Sequence, residues 1–117
     1  MKSDINIANE FFNKKNYESA INMCNKILEK YNDDLEALKL IAKSFLATSK
    51  INDARLYFDK VLILNPVDYE VIKDLGNTYQ AVGDINNAKK YYQKALKINS
   101  SYAPALTNLG GIELNTD

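Results

Sequence analysis

The sequence predicts an all-α protein built as a solenoid of antiparallel helix pairs, on three observations. Sliding the chain by 34 residues superposes it on itself: Ala20, Ala54 and Ala88 coincide, as do Leu28, Leu62 and Leu96, and Lys26, Lys60 and Lys94. Within each copy the apolar residues keep helical spacing. Ile72, Leu75, Gly76 and Tyr79 follow i, i+3, i+4, i+7, and Ala88, Tyr92, Ala95 and Leu96 follow i, i+4, i+7, i+8. Turn formers punctuate the copies at matching places.

Each element follows in chain order. The repeats run 1–34, 35–68 and 69–102 with no insertion, and 103–117 is a partial fourth copy in which Leu106, Leu109 and Gly110 take the places of Ile72, Leu75 and Gly76. We read the whole as one domain of about seven helices, near 2–14, 18–31, 36–48, 52–64, 70–82, 86–98 and 103–114. Inside a repeat the two helices are split by KN (15–16), SK (49–50) or GD (83–84), where a glycine can take the left-handed conformation that ends a helix. Between repeats come YNDD (31–34), NPVD (65–68) and NSSY (99–102), rich in caps, with Pro66 able to stop a helix. The small residues explain how the pairs close. Ala20, Ala54 and Ala88, facing Ala8, Ala42 and Gly76, let helices approach while aromatics fill the space beside them.

These residues are the ones that carry the resemblance to the tetratricopeptide repeat family. Residues 72–79 read I-x-x-L-G-x-x-Y, followed by Ala88, Tyr92 and Ala95. The chain departs mildly: Asn32 and Ser100 stand where Pro66 keeps the family's proline, and Ile27 and Val61 where Ala95 keeps its alanine. The resemblance implies a right-handed superhelix whose first helices line a concave groove, and a function in binding peptides or proteins. Carried over, the groove holds Lys2, Ile5, Asn6, Asn9, Phe12 and Asn13 in the first repeat. The second supplies Glu36, Lys39, Leu40, Lys43, Leu46 and Ala47; the third Glu70, Lys73, Asp74, Asn77, Gln80 and Ala81; the fourth Thr107, Asn108 and Gly111. Asn6, Asn9, Phe12, Lys39, Leu40, Lys43, Leu46, Lys73, Asn77 and Asn108 are the candidate binding residues. The lysines would form a basic strip, or else a solvated face paired with Glu36 and Glu70 at helical spacing. Phe12, Leu40 and Leu46 are apolar with no seam to fill, so they contact a partner or a neighbouring repeat.

Two family devices can be tested on the residues. The clamp that grips chaperone C-terminal carboxylates would fall on Ile5, Asn9, Leu40, Glu70 and Asp74; Asn9 alone fits, and two positions carry the wrong sign. Moved down one repeat it falls on Lys39, Lys43, Asp74, Pro104 and Asn108, where Lys39 alone fits. Chaperone tails are therefore not the expected partner. The asparagine ladder that resembles the O-linked N-acetylglucosamine transferase superhelix is met by Asn6 and Asn108 and broken by Leu40 and Asp74.

Composition narrows the classes further. Fifteen basic and fifteen acidic residues cancel, so no net field draws the chain to nucleic acid or acidic lipid. No stretch approaches a membrane span, no N-terminal apolar segment precedes the first repeat, and a single cysteine forms no internal disulfide, which makes the cytoplasm the expected compartment. The chain has no histidine, and Cys24 falls where Phe58 and Tyr92 stand, which marks it as core; no catalysis, cofactor or metal is expected. Asp4 replaces the apolar residue seen at Leu38, Ile72 and Leu106, as suits a terminal repeat. At the other end Ile112 and Leu114 have no evident cover. We therefore expect the N-terminal part of a longer protein, one that could carry an enzymatic domain for which this is the targeting arm, with homodimerisation through 103–117 as the alternative.

Overall fold

A computed structural model of the chain describes residues 3–115, and among these it contains seven helices and no strand. They are α1 (Asp4–Asn13), α2 (Tyr17–Lys30), α3 (Leu35–Ala47), α4 (Ile51–Leu64), α5 (Tyr69–Ala81), α6 (Ile85–Ile98) and α7 (Ala103–Asn115). Residue 2 of the first predicted helix lies outside the described residues. The helices form two compact units, Met1–Leu64 with α1–α4 and Asn65–Asp117 with α5–α7.

From α2 to α6 each helix begins one residue earlier than its predicted start, and at all but α4 the cap explains it. Asn16, Asp34, Asp68 and Asp84 each accept a hydrogen bond from the backbone N–H three residues on, so helical geometry begins at the next residue. Lys50 stands in the register of Asn16 and Asp84 but has no acceptor to offer, so α4 begins without a side-chain cap. The residue before that register is left-handed in every repeat, with φ of 63° at Lys15, 63° at Ser49 and 80° at Gly83. The turn geometry is thus common to all three repeats, and two of them hold it with a residue that pays strain there.

In unit 1, α3 is the most enclosed helix, contacting α1, α2 and α4. Its buried residues Ala37, Leu40 and Ile41 join Ala8, Cys24 and Ile27 in one core, with Phe12, Phe45 and Tyr57 packed at its margin. Ser44 is fully buried and donates its hydroxyl to the Leu40 carbonyl at 2.8 Å, so its burial leaves no unmet polar group. In unit 2, Ala88, Tyr92 and Ile112 form one core cluster with Tyr79, Ile85 and Leu109 around it, and Val71, Ile72, Leu75, Ala95 and Ala105 are buried as well.

The seam is as the small residues predict. Ala8, Ala20, Ala42, Ala54 and Ala88 are all fully buried. The tightest approach is at Gly76, where a Cβ would lie 2.6 Å from Tyr92 Cε1 and 2.8 Å from its Cδ1. A glycine on α5 is therefore what lets a tyrosine occupy the slot that Phe58 and Cys24 fill opposite alanines.

The last helix departs from expectation at two positions. Ile112 is covered: it is 4% exposed and packs on Ala88 and Tyr92. It occupies the register of Ser44 and Thr78, which lies on the inner face of α7, and that face has α6 to meet. Leu106, in the register of the buried Ile72, is instead half-exposed, and Leu114 is open to solvent.

Candidate binding surface on the first helices

The candidates separate by unit. In unit 1, Asn6 and Asn9 on α1 are exposed, while Phe12, Lys39, Lys43 and Leu46 are half-buried. Phe12 meets Tyr17 edge-on at 5.4 Å and packs at the margin of the core, so its half-buried ring is fixed by the domain. Lys2 lies outside the described residues. Leu40 requires correction. It is 6% exposed and sits in the core with Ala8, Cys24 and Ile27, so it is a packing residue and not a groove contact. The cause is stacking: α3 lies on the preceding helix pair, whereas α1 has no such neighbour, and Asn6 in the same register stays exposed.

In unit 2 the side chains form a connected polar array. Lys73 Nζ meets Asp74 Oδ1 at 2.7 Å, with the two side chains 15% and 6% exposed. This pair is largely withdrawn from water, and it neutralises the third member of the expected basic strip. Farther along α5, Asn77 Oδ1 accepts from Asn108 Nδ2 of α7 at 2.9 Å and lies 2.6 Å from the Tyr92 hydroxyl, which is also 2.7 Å from Gln80 Oε1. The phenol has one proton, so one amide oxygen takes it at a time; turning the Gln80 amide lets its NH₂ donate to the phenol oxygen as well. Burial pushes the Tyr92 phenol up to about 12, with Asn108 opposing and the Asp74 charge adding to the rise. Tyr102, edge-on to Tyr69 at 4.8 Å, is also pushed up to about 12, by burial first and then by Glu70, Asp74, Tyr69 and Asp68.

Sequence reasoning placed Asn77 and Asn108 on one surface but missed that they bond to each other and to Tyr92. A signal was present. The third repeat alone has a hydroxyl at the Cys24/Phe58/Tyr92 register, and it alone has a polar residue, Gln80, where the others carry Phe12 and Leu46.

The remaining features are structural. Cys24 is fully buried, and burial, helped by the Asp34 charge, pushes its thiol up to about 12. Among the described residues no group of three or more His, Cys, Asp or Glu side chains could hold a metal ion, and no helix is long and apolar enough to cross a membrane. A cleft of about 530 Å³ lies in unit 1 where Ile5 of α1 meets Ile27 and Tyr31, rimmed by Lys26 and Lys30 and by Asp4 and Asp34.

With the fold and surface in hand, the chain can be set beside known proteins. Among curated proteins no sequence matches it. Solved structures match over most of its length. The first TPR of Spaghetti (RPAP3), bound to the HSP90 peptide SRMEEVD, is 19% identical with a TM-score of 0.87, covering 96% of this chain and 89% of that one. The second TPR domain of human RPAP3, in complex with the HSP70 peptide SGPTIEEVD, is 21% identical with a TM-score of 0.84, covering 95% and 92%. The MamA protein is 24% identical with a TM-score of 0.79 over 93% of this chain, which spans 60% of MamA's own length. The model of the N-terminal TPR repeats region of Psidin matches residues 8–109. The chain thus belongs to the tetratricopeptide repeat family, all-α helical-repeat solenoids whose domains are protein-interaction modules.

Proposed function

We propose that the chain is a non-catalytic binding module that holds a peptide or protein segment on the first helices of its repeats, with the surface of each unit contributing by itself. The observation that carries this reading is the Asn77–Asn108 pair. Their 2.9 Å bond and the Tyr92 hydroxyl hold both amides in fixed orientations on half-buried backbone. An amide pair bonded this way still has N–H donors on Asn77 and a carbonyl acceptor on Asn108, the groups a peptide main chain pairs with. Because the array is already ordered in the free protein, a ligand meets it with little further loss of side-chain entropy. Asn6, Asn9, Phe12, Lys39, Lys43 and Leu46 supply the corresponding surface of unit 1, with Lys73 held by Asp74 in unit 2.

The partner is a protein or peptide rather than nucleic acid or membrane, since the chain's charges cancel. Chaperone carboxylate tails are a poor fit. The two positions where the clamp needs cations are Glu70 and Asp74, and Leu40 is buried where it needs an amide. We place the protein in the cytoplasm on its single cysteine, which can form no internal disulfide.

The test is selection from a random peptide library, followed by calorimetric titration of the recovered peptides. Asn77→Ala and Asn9→Ala should each weaken binding by about tenfold, as expected for loss of hydrogen bonds to a bound chain. The peptide SRMEEVD should show no saturable heat. A library that yields no binder, or binders indifferent to both substitutions, would refute the module; micromolar binding of SRMEEVD would refute the assigned partner class.

A further inference from the structure

The second helices of the three repeats, α2, α4 and α6, align residue for residue, but their charges diverge. α2 sets Lys26 and Lys30 against Glu18 and Glu29, and α4 sets Arg55 and Lys60 against Asp53 and Asp59. α6 carries Lys89, Lys90, Lys94 and Lys97 and no carboxylate. Where its sister helices have acids, it has Asn86, Asn87, Gln93 and Lys97. The net charges are thus zero, zero and +4.

Three of the lysines share one open face. Lys90, Lys94 and Lys97 are all exposed and, at 100° per residue, fall within about 60° of one another. That strip lies about 160° round the helix from the buried stripe of Ala88, Tyr92 and Ala95. Among the described residues none of the three has an ion-pair partner. The same face is open elsewhere: Asn22, Lys26 and Glu29 on α2 and Leu56, Lys60 and Ile63 on α4 are exposed in this register, although further repeats follow them.

The strip works against the free protein. Lys90 and Lys94 are like charges at i, i+4, and Lys94 and Lys97 at i, i+3, spacings at which they repel and weaken a helix. Local conflicts of this kind concentrate at functional positions. An acidic surface relieves this one, and the intervals say which kind. Along the axis the strip advances about 6 Å and then about 4.5 Å. Carboxylates at i, i+4 and i+7 of a second helix laid alongside repeat those steps, whereas alternate side chains of a strand advance about 6.7 Å each time and fall out of step. Larger polyanions fit less well. Beyond the strip, unit 2 is acidic on balance, with five described carboxylates against Lys73 and Lys89, so an extended duplex or bilayer would meet like charge. The chain's one arginine is in unit 1, and Tyr91 is stacked on Tyr79 at 5.3 Å, so α6 brings neither a guanidinium fork nor an open ring to a nucleic acid.

We propose that the Lys90–Lys94–Lys97 face of α6 docks an acidic helix of a partner protein. This goes beyond the peptide-binding reading and is independent of it, because the strip lies on the far side of α6 from the Tyr92–Asn77 bond. Exposed ion pairs are individually weak, so the contact is reversible and salt-sensitive.

The probe is an alanine-rich helical peptide of about five turns with Glu at i, i+4, i+7 and i+11, titrated by fluorescence anisotropy against the 117-residue chain at about 0.05 M salt. It should bind, and should lose about tenfold or more in affinity at about 0.5 M salt, while its glutamine counterpart should not bind. Lys94→Glu is the deciding variant. It turns both like-charge pairs into attractive ones, so the free chain should melt no lower than wild type, yet affinity for the probe should fall on the order of tenfold or more. Lys26→Glu, in the same register on α2, and Asn77→Ala should leave probe binding unchanged. Failure of the glutamate peptide to bind at low salt would overturn the proposal, as would equal binding of the glutamine peptide or equal loss with Lys26→Glu. Tighter binding of duplex DNA or of phosphatidylserine vesicles at the same salt would overturn the assigned partner.

Discussion

Replacing Gly76 by alanine is the sharpest test of how the helix pairs close. The added methyl would lie 2.6 Å from Tyr92 Cε1, 2.8 Å from Cδ1 and 3.1 Å from Cζ, and the ring is fully buried. It cannot simply slide. Its hydroxyl is held by Asn77 and Gln80 at 2.6 and 2.7 Å, and Ala88 and Ile112 pack with it in the core. Overpacking a core this tight costs up to about 3 kcal/mol. Dragging the phenol off an amide loses a hydrogen bond of about 1 kcal/mol. Against this, alanine is better than glycine inside a helix by about 1 kcal/mol. The hydrogen-bond loss and the propensity gain cancel, so the net loss is about 1–3 kcal/mol, which for a domain of this size lowers the melting midpoint by about 4–12 °C. The control is the same substitution one repeat on. Gly110→Ala meets open space, so it should keep the propensity gain of about 1 kcal/mol. Adding Tyr92→Phe to Gly76→Ala recreates the Ala42–Phe58 combination of the second repeat and should recover part of the loss. Melts followed by circular dichroism at dilute concentration read all of these. A Gly76→Ala midpoint equal to or above wild type would show that the ring yields freely and that the seam is not set by volume.

Two more outcomes follow from the turns and the buried phenols. Ser49 sits at φ 63° and Lys50 caps nothing, so Ser49→Gly and Lys50→Asp, which copy Gly83–Asp84, should each stabilise by about 1 kcal/mol in denaturant titrations, whereas Gly83→Ala should cost about as much. Tyr92 and Tyr102 are raised from 10.0 to about 12 and Cys24 from 9.0 to about 12, so the folded chain holds these protons more tightly than the unfolded one. Their contribution is complete below pH 9 and is lost as pH rises toward 12, from 9 for Cys24 and from 10 for the tyrosines, so unfolding free energy should fall across that window. Absorbance at alkaline pH should show Tyr92 and Tyr102 ionising together with unfolding, and Tyr102→Phe should flatten the slope; an unchanged stability between pH 9 and 12 would contradict the burial.

How far the sequence reached differs between fold and surface. The repeat, the helix pairs and the alanine seam were legible because each depends on local chemistry repeated at a fixed interval: Ala20, Ala54 and Ala88 have one plausible use at that spacing, and all three are buried. The surface was legible only where exposure follows from position along a helix, as for Asn6 and Asn9. Leu40 was misplaced because whether a first-helix residue faces a partner or a preceding repeat depends on the neighbour, and the neighbours Ala8, Cys24 and Ile27 come from other helices.

The sequence by itself determined the class, the period, the turn sites and the residues small enough for helices to touch, since sterics and helical periodicity act within a few residues. Tertiary structure alone decided that Tyr92 reaches across to Asn77 and Gln80, that Asn108 bonds Asn77, that Ile112 is covered while Leu106 is not, and that Lys73 is tied to Asp74. Those outcomes depend on which side chains of different helices come within about 3 Å of one another, a distance fixed by packing and by no single stretch of chain.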